Sequence, residues 1–263
     1  MAGPASRLLR AFFALNRRAC LRVEPWLLQS RATPLGLYEE WVRQFVGERH
    51  SGTVLDVGAG KSSFFAKAAA PERGMRVFAL DVSGQELLPD QEAAGRVVAD
   101  TLAGLPFRGS SFDVITSRSV LEHVGDVGKL FEGCRDALRP GGYCVHVFSC
   151  RFAPFALINR VLPAAVSRKV VYFFRPETEG ICGFSALYDR CYYSAVRELL
   201  ERNGFEVVFM RPGFYQARYF DFFFPLFALM ALYELAVAWM GLNNLSAYLL
   251  VVARRRQPST ESG

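Results

Sequence analysis

Between positions 53 and 254 short apolar runs alternate with amphipathic ones, and that alternation predicts a parallel sheet covered by helices. TVLDV (53–57), RVFALDV (76–82), RVVAD (96–100), FDVITS (112–117), YCVHVFS (143–149), FEVVFM (205–210) and AYLLVVAR (247–254) read as seven strands in chain order. Helices suit Ser62 to Ala70, ended near Pro71, and Val127 to Leu138, stopped by Pro140 and Gly141. A further helix is expected to be capped by Ser194 and to run to Asn203, with Gly204 as its stop signal.

Two stretches depart from this rhythm. Near the N-terminus Leu8, Phe12, Leu15 and Ala19 fall on one helical face, with Leu9, Phe13 and Cys20 beside them and the arginines mainly opposite. An amphipathic surface helix has that spacing, and so does an ordinary helix packed on a domain. Its Arg-rich, acid-free composition also fits a mitochondrial transit peptide. The second stretch, FDFFFPLFALMALYELAVAWMGL (220–242), carries a single charge, Glu234, between Phe222 and Leu242. Its length nominally suffices for a hydrocarbon core of ~30 Å.

Composition adds that the chain folds: 51% of its 263 residues are hydrophobic. The net charge of +6 is concentrated at the ends, in Arg7, Arg10, Arg17, Arg18 and Arg22 before the first acid, Glu24, and in Arg254 to Arg256. Nucleic acid or an anionic membrane would each account for that distribution. Six cysteines without a CxxC pair, and no secretory signal before them, point to reduced thiols and a cytosolic setting. The three histidines show no zinc spacing, so no metal is expected.

The chemistry concentrates in VLDVGAGKS, a strand that ends in an acid and runs into a Gly-x-Gly turn. Gly58 and Gly60 let the backbone turn sharply and approach a ligand closely. Asp81 ends the second strand, where a carboxylate can accept ribose hydroxyls, and Asp100 ends the third, where an acid can meet an exocyclic amine. Three acids at three successive strand ends describe a nucleoside site at the carboxyl edge of a sheet.

VLDVGAG, ALDVS, VADTLAGLPFRGSSFDVITSRSVLEHV and LRPGGYCV together resemble the class I S-adenosylmethionine-dependent methyltransferases of the type 11 kind, over roughly residues 35–149. The resemblance implies a Rossmann-like α/β fold: a seven-stranded, mostly parallel sheet with an antiparallel last strand, helices on both faces, and here a hydrophobic helical insertion between strands six and seven. It implies S-adenosylmethionine as cofactor, with Asp56, Gly58 and Gly60 at its methionine half, Asp81 and Val82 at the ribose, Asp100 and Thr101 at the adenine, and Ser117 bordering the methyl group. Ser62 replaces the third glycine of the loop, a departure that bears on loop detail. Methyl transfer from an activated sulfonium needs no strong base; for a hydroxyl acceptor one is useful, and His123, Tyr188 and Asp189 are the candidates.

The expected organisation is a basic segment 1–34, a methyltransferase domain 35–254 with an acceptor or lid insertion at 150–191 and a hydrophobic insertion at 219–244, and a polar tail 255–263. Since strands six and seven pair in one sheet, the hydrophobic insertion must leave and return on one side, which fits a helix lying in a membrane interface with Glu234 at its tip or polar face. A buried core helix or a dimer interface is the competing reading. The expected acceptor is an amphiphile (a lipid, a polyprenyl-linked sugar or a quinone precursor) met at an anionic membrane surface from the cytoplasm, with a mitochondrial setting as alternative. A soluble small-molecule methyltransferase that dimerises through the insertion, and a noncatalytic cofactor-binding assembly protein, remain the other readings. The basic residues flank apolar segments instead of lining a groove with spaced aromatics, which argues against nucleic acid; nothing in the sequence sets the oligomeric state.

Overall fold

The computed structural model describes residues 4–27, 33–49, 51–69, 74–101, 105–107, 109–162, 166, 169, 173 and 185–257. Seven strands form one sheet: β1 (Gly52–Val57), β2 (Met75–Asp81), β3 (Gly95–Val98), β4 (Phe112–Arg118), β5 (Leu138–Ser149), β6 (Phe205–Gly213) and β7 (Tyr248–Arg255). Their order across the sheet is β3-β2-β1-β4-β5-β7-β6. The first five are parallel and β7 is antiparallel to both its neighbours, as expected.

Side chains on alternate strand positions divide between two cores. On one face, Val54, Val77, Val114 and Leu250 meet Tyr38, Val42 and Phe45 of α2 (Pro34–Glu48) and Phe65 of α3 (Phe64–Ala68). A single turn, α4 (Gly84–Leu87), follows β2. On the other face Leu55, Val57, Ile115 and Phe148 pack with Phe131 of α5 (Val127–Ala137) and Leu200 of the helix Tyr193–Arg202. Strand β5 begins five residues earlier than its apolar run. LRPGG is drawn into it, and an irregularity in the pairing with β4 between Phe112 and Val114 absorbs the surplus. Ser194 lies inside its helix and does not cap it; Tyr192 holds the N-cap position without a side-chain bond, while Gly204, at φ +78°, ends the helix as expected.

The hydrophobic stretch contains a helix of 16 residues, Phe224–Trp239, ~24 Å long at 1.5 Å per residue. No helix among the described residues is long and apolar enough to cross a membrane. The excursion leaves β6 at Gly213 and re-enters β7 at Tyr248, and these two pair with each other while Tyr248 also pairs with Ser149. It therefore lies at the edge where the parallel strands end. The N-terminal helix α1 (Pro4–Leu27) is packed against it: Cys20 joins Phe227, Ala231 and Ala217 in a small core. Asn16 caps the second helix by accepting from Phe224 N at 2.8 Å, and Arg17 pairs with Asp221 at 3.4 Å.

Glu234 is not at a tip or on a solvent face. It is buried, and its Oε1 accepts the backbone N–H of Gln216 at 2.7 Å, tying the helix to the turn Ala217–Phe220. The reason is topological: the chain has to be anchored where it turns out of β6, and a carboxylate satisfies the exposed amides of that turn.

Candidate functional site

The glycine turn after β1 is clamped to the end of β2, with Gly58 N and Ala59 N both donating to Leu80 O at 2.7 and 3.1 Å. Gly58 has φ +65°, and a Cβ there would stand 2.3 Å from Val120 Cγ2. Gly60, at φ +57°, faces open space. Asp81, at the end of β2, is 6% exposed; its two oxygens accept from Gly60 N (3.1 Å) and Ser83 N (3.0 Å), which fixes the carboxylate and leaves lone pairs toward the turn.

Asp56 lies beneath this turn. Its Oδ2 accepts from Ser63 Oγ at 2.6 Å, and the same hydroxyl accepts from Ala66 N to cap α3. Burial pushes the Asp56 carboxyl up to about 7, against which the Ser63 bond and then Arg118 pull down. Val82 is more than half exposed beside Asp81; Asp100 is exposed just past β3, and Thr101 after it is half-buried.

Ser117, expected beside the reacting methyl, has its hydroxyl turned into the core instead. It is fully buried, within 2.6 Å of His146 Nδ1, because its position in β4 faces β5 and not the strand end. His146 Nε2 in turn meets Cys144 Sγ at 2.9 Å, and Cys134 from α5 closes a buried group of three potential metal donors within 4.8 Å of one another. Spacing rules missed it because one donor comes from a helix and two from a strand.

Of the three candidate bases only Tyr188 enters a site. Asp189 Oδ2 accepts from Val127 N at 3.1 Å and pairs with Arg190, so it is tied to the start of α5, which Asp126 caps. His123 is half-buried and its Nδ1 donates to the carbonyl of Ser185 at 3.1 Å, turned toward a loop. The buried polar group is its neighbour Glu122, 5% exposed in the 3-10 turn Leu121–His123. Glu122 Oε1 accepts from Ser149 Oγ (2.9 Å) and Ser149 N (3.3 Å), and burial raises its carboxyl above the ordinary range.

Around it Tyr219 and Tyr248 share a hydroxyl contact, and Phe155 stacks on both rings at 4.8 and 5.8 Å. Burial raises the phenols of Tyr188, to about 12, and of Tyr248 further. Sequence reasoning reached Glu122 only as the neighbour of a histidine and missed Ser149, Tyr219 and Tyr248 altogether. Much of the expected acceptor or lid insertion 150–191, namely 163–165, 167, 168, 170–172 and 174–184, lies outside the described residues.

Residues 55–146 match the family described as a methyltransferase domain. The chain carries a methyltransferase domain. Among similar proteins, a ubiquinone biosynthesis O-methyltransferase of Leptothrix cholodnii is 31% identical over 117 residues, 39% of this chain and 46% of that protein. Phosphoethanolamine N-methyltransferase 2 of Caenorhabditis elegans is 30% identical over 128 residues, 44% of this chain and 29% of that one. The chain thus spans less than half the length of these curated relatives. An S-adenosylmethionine-dependent methyltransferase of Mesorhizobium loti shares the fold, with TM-score 0.53 at 23% identity over 82% of this chain and 98% of that one.

S-adenosylmethionine is the cofactor of such a domain, and the residues fit it. The open face of Gly60 leaves room where a side chain would intrude, and the buried Asp81 carboxylate, already oriented by two amides, stands where ribose hydroxyls can donate. Asp56 and the glycine turn would hold the methionine half.

The buried acids make stability depend on pH. Asp56 and Glu234 both have carboxyls raised to about 7 by burial, so each binds its proton more tightly folded than unfolded. Their contribution is full below the ordinary carboxylate range near 4 and is lost as pH rises through about 7. The melting temperature is expected to fall between pH 5 and pH 8 by at least several degrees. Each tenfold difference in proton affinity is worth ~1.4 kcal/mol, and each kcal/mol moves the melting temperature ~2–4 °C for a chain of this size. Calorimetry of Asp56→Asn and Glu234→Gln checks it: each should flatten the slope, and a slope unchanged in both refutes the assignment.

Proposed function

We propose that the protein transfers the methyl group of S-adenosylmethionine to an amphiphilic small-molecule acceptor that it meets at an anionic membrane surface. The observation that carries this is the pairing of α1 with the helix Phe224–Trp239 at the sheet edge that holds the glycine turn. Their mutual contact uses only part of each apolar surface. Leu8, Leu15 and Trp26 on α1, and Leu232, Leu235 and Trp239 on its partner, remain exposed, with Trp26 and Trp239 at 85% and 89%. Arg7, Arg10, Arg18 and Arg22 are exposed on the neighbouring stripe of α1.

Apolar side chains, terminal tryptophans and a row of cations are the parts of an interfacial helix, each cation contributing ~1 kcal/mol near anionic headgroups. A membrane-resident acceptor would then approach the carboxyl edge from its own phase. The relatives' names include both O- and N-methyltransferases, which supports a small acceptor and leaves its atom to be decided by the site.

Flotation with vesicles containing phosphatidylglycerol tests the surface. The full chain is expected to float, and a quadruple variant Leu8→Gln, Trp26→Ala, Leu232→Gln and Trp239→Ala is expected to stay behind with its melting temperature unchanged within a few degrees, since none of the four is buried. Wild type remaining in the soluble fraction refutes the membrane reading. Calorimetry with S-adenosylhomocysteine tests the cofactor reading separately.

A further inference from the structure

The interior between β5 and α5 holds a group of side chains that methyl transfer does not use. Cys144 and His146 stand two apart on β5 and so face the same way, and Cys134 reaches them from α5. Their two sulfurs and one ring nitrogen lie within 4.8 Å of one another, and all three residues are fully buried. Elsewhere the buried face of α5 carries Val127, Leu130 and Phe131, and the Phe131 ring lies 5.8 Å from that of His146. Apolar packing alone has no need of an imidazole there, since each of its ring nitrogens requires a partner.

The two nitrogens are placed differently. Nδ1 lies 2.6 Å from the hydroxyl of Ser117, the residue opposite His146 in the pairing of β4 with β5. Nε2 meets the Cys144 sulfur at 2.9 Å, and sulfur is a weak hydrogen-bonding partner for a buried ring nitrogen. A thiophilic metal ion bonds thiolate sulfur at ~2.3 Å and imidazole nitrogen at ~2.0–2.1 Å, which sets its donors about 3.5–4 Å apart. The three atoms are already close to those separations, and shifts of about 1 Å or less would complete the fit. An imidazole that binds a metal through one nitrogen commonly donates the other N–H to a fixed acceptor, and Ser117 Oγ stands where that acceptor belongs.

We infer that Cys134, Cys144 and His146 bind one thiophilic d10 ion, copper(I) or zinc(II), which staples α5 to β5. The two thiols bind as thiolates and release their protons to solvent, the imidazole binds neutral through Nε2, and no electron is transferred. Ser117, expected at the reacting methyl, orients that imidazole instead. Magnesium and calcium take oxygen donors, and the side-chain oxygen at this site is engaged by Nδ1. Two sulfurs and a nitrogen complete a three-coordinate copper(I) site, whereas zinc(II) adds a fourth ligand to them. The site is independent of both the cofactor pocket and the acceptor.

The test uses the full chain made in cells given copper or, separately, zinc, kept reduced and desalted through a chelator so that only enclosed metal stays. Elemental mass spectrometry is expected to find about one ion per chain in at least one of the two preparations. X-ray absorption is expected to show two sulfurs and one nitrogen around copper, or the same three donors and one lighter ligand around zinc, which tells the ions apart. Cys134→Ser and Cys144→Ser are expected to retain about tenfold less metal or lower still. Cys191→Ala, which removes a buried thiol elsewhere in the same core, is expected to retain as much as wild type. Protein made without either metal is expected to melt about 5 °C or more lower, the effect of losing an ion present at ~100 times its dissociation constant. If the serine variants do not fold, the wild-type spectrum and the melting shift decide. Folded wild type that retains neither ion overturns the proposal, and so does a bound ion whose neighbours lack either sulfur or nitrogen. Serine variants that retain metal within about threefold of wild type, or a melting temperature indifferent to the metal, overturn it as well.

Discussion

Replacing Asp81 with alanine is expected to weaken S-adenosylhomocysteine binding by ~100-fold or more. Two ribose hydroxyls donating to one carboxylate make charge-assisted bonds, each worth ~1.5–3 kcal/mol, so losing both amounts to at least ~3 kcal/mol. The same carboxylate orients the glycine turn through Gly60 N, so the loss includes some order in the turn. Asp81→Asn separates the two effects, because it preserves the shape while removing the charge and is expected to fall between wild type and alanine. Titration calorimetry at constant pH reads both. An Asp81→Ala protein that binds within threefold of wild type removes the nucleoside site from the end of β2.

Phe227→Ala is expected to release α1 and the Phe224–Trp239 helix while leaving the sheet folded. Phe227 is fully buried in a core that, among the described residues, holds four buried side chains, with Cys20, Ala217 and Ala231, and Phe224 and Met230 partly buried against them; truncating a buried phenylalanine costs about 3–5 kcal/mol. That small core is separate from the two that cover the sheet, so it has little reserve against the loss. Hydrogen exchange should show the amides of 8–24 and 226–238 losing protection by ~100-fold or more while those of β1, β4 and β5 keep theirs, with vesicle flotation lost in parallel. Uniform loss of protection across the sheet would show instead that the helix pair is part of one cooperative unit.

The two helices also show where sequence reasoning reached its limit. Length and hydropathy marked 220–242 as apolar, and the expected pairing of strands six and seven already argued against a span, leaving an interfacial, a core and a dimer-interface helix with the same composition. The structure has that pairing, with Gly213 and Tyr248 neighbours across β6 and β7, so the excursion returns to its own edge, and it adds that α1 covers one side of it. Glu234, the one charge between Phe222 and Leu242, looked like a solvent-facing residue and is the anchor of the exit turn. The candidate bases read from the sequence were His123, Tyr188 and Asp189, and Glu122 was not among them. A 3-10 turn decides which of two adjacent side chains points inward, and it turned Glu122 in and His123 toward Ser185.

By itself the sequence determined the strand count, the parallel order of the first five strands, the glycine turn and the acids at the strand ends, because these depend on local periodicity and on residues whose backbone or charge has few alternatives. Gly58 and Gly60 are legible because both adopt positive φ, and Asp81 because it closes its strand. The tertiary structure alone decided which side chains share an interior. Ser117 is bound to His146, 29 residues on, Glu122 to Ser149, 27 on, and Cys20 packs against a helix two hundred residues away, since burial and hydrogen-bond satisfaction are settled between distant segments when the sheet closes its faces.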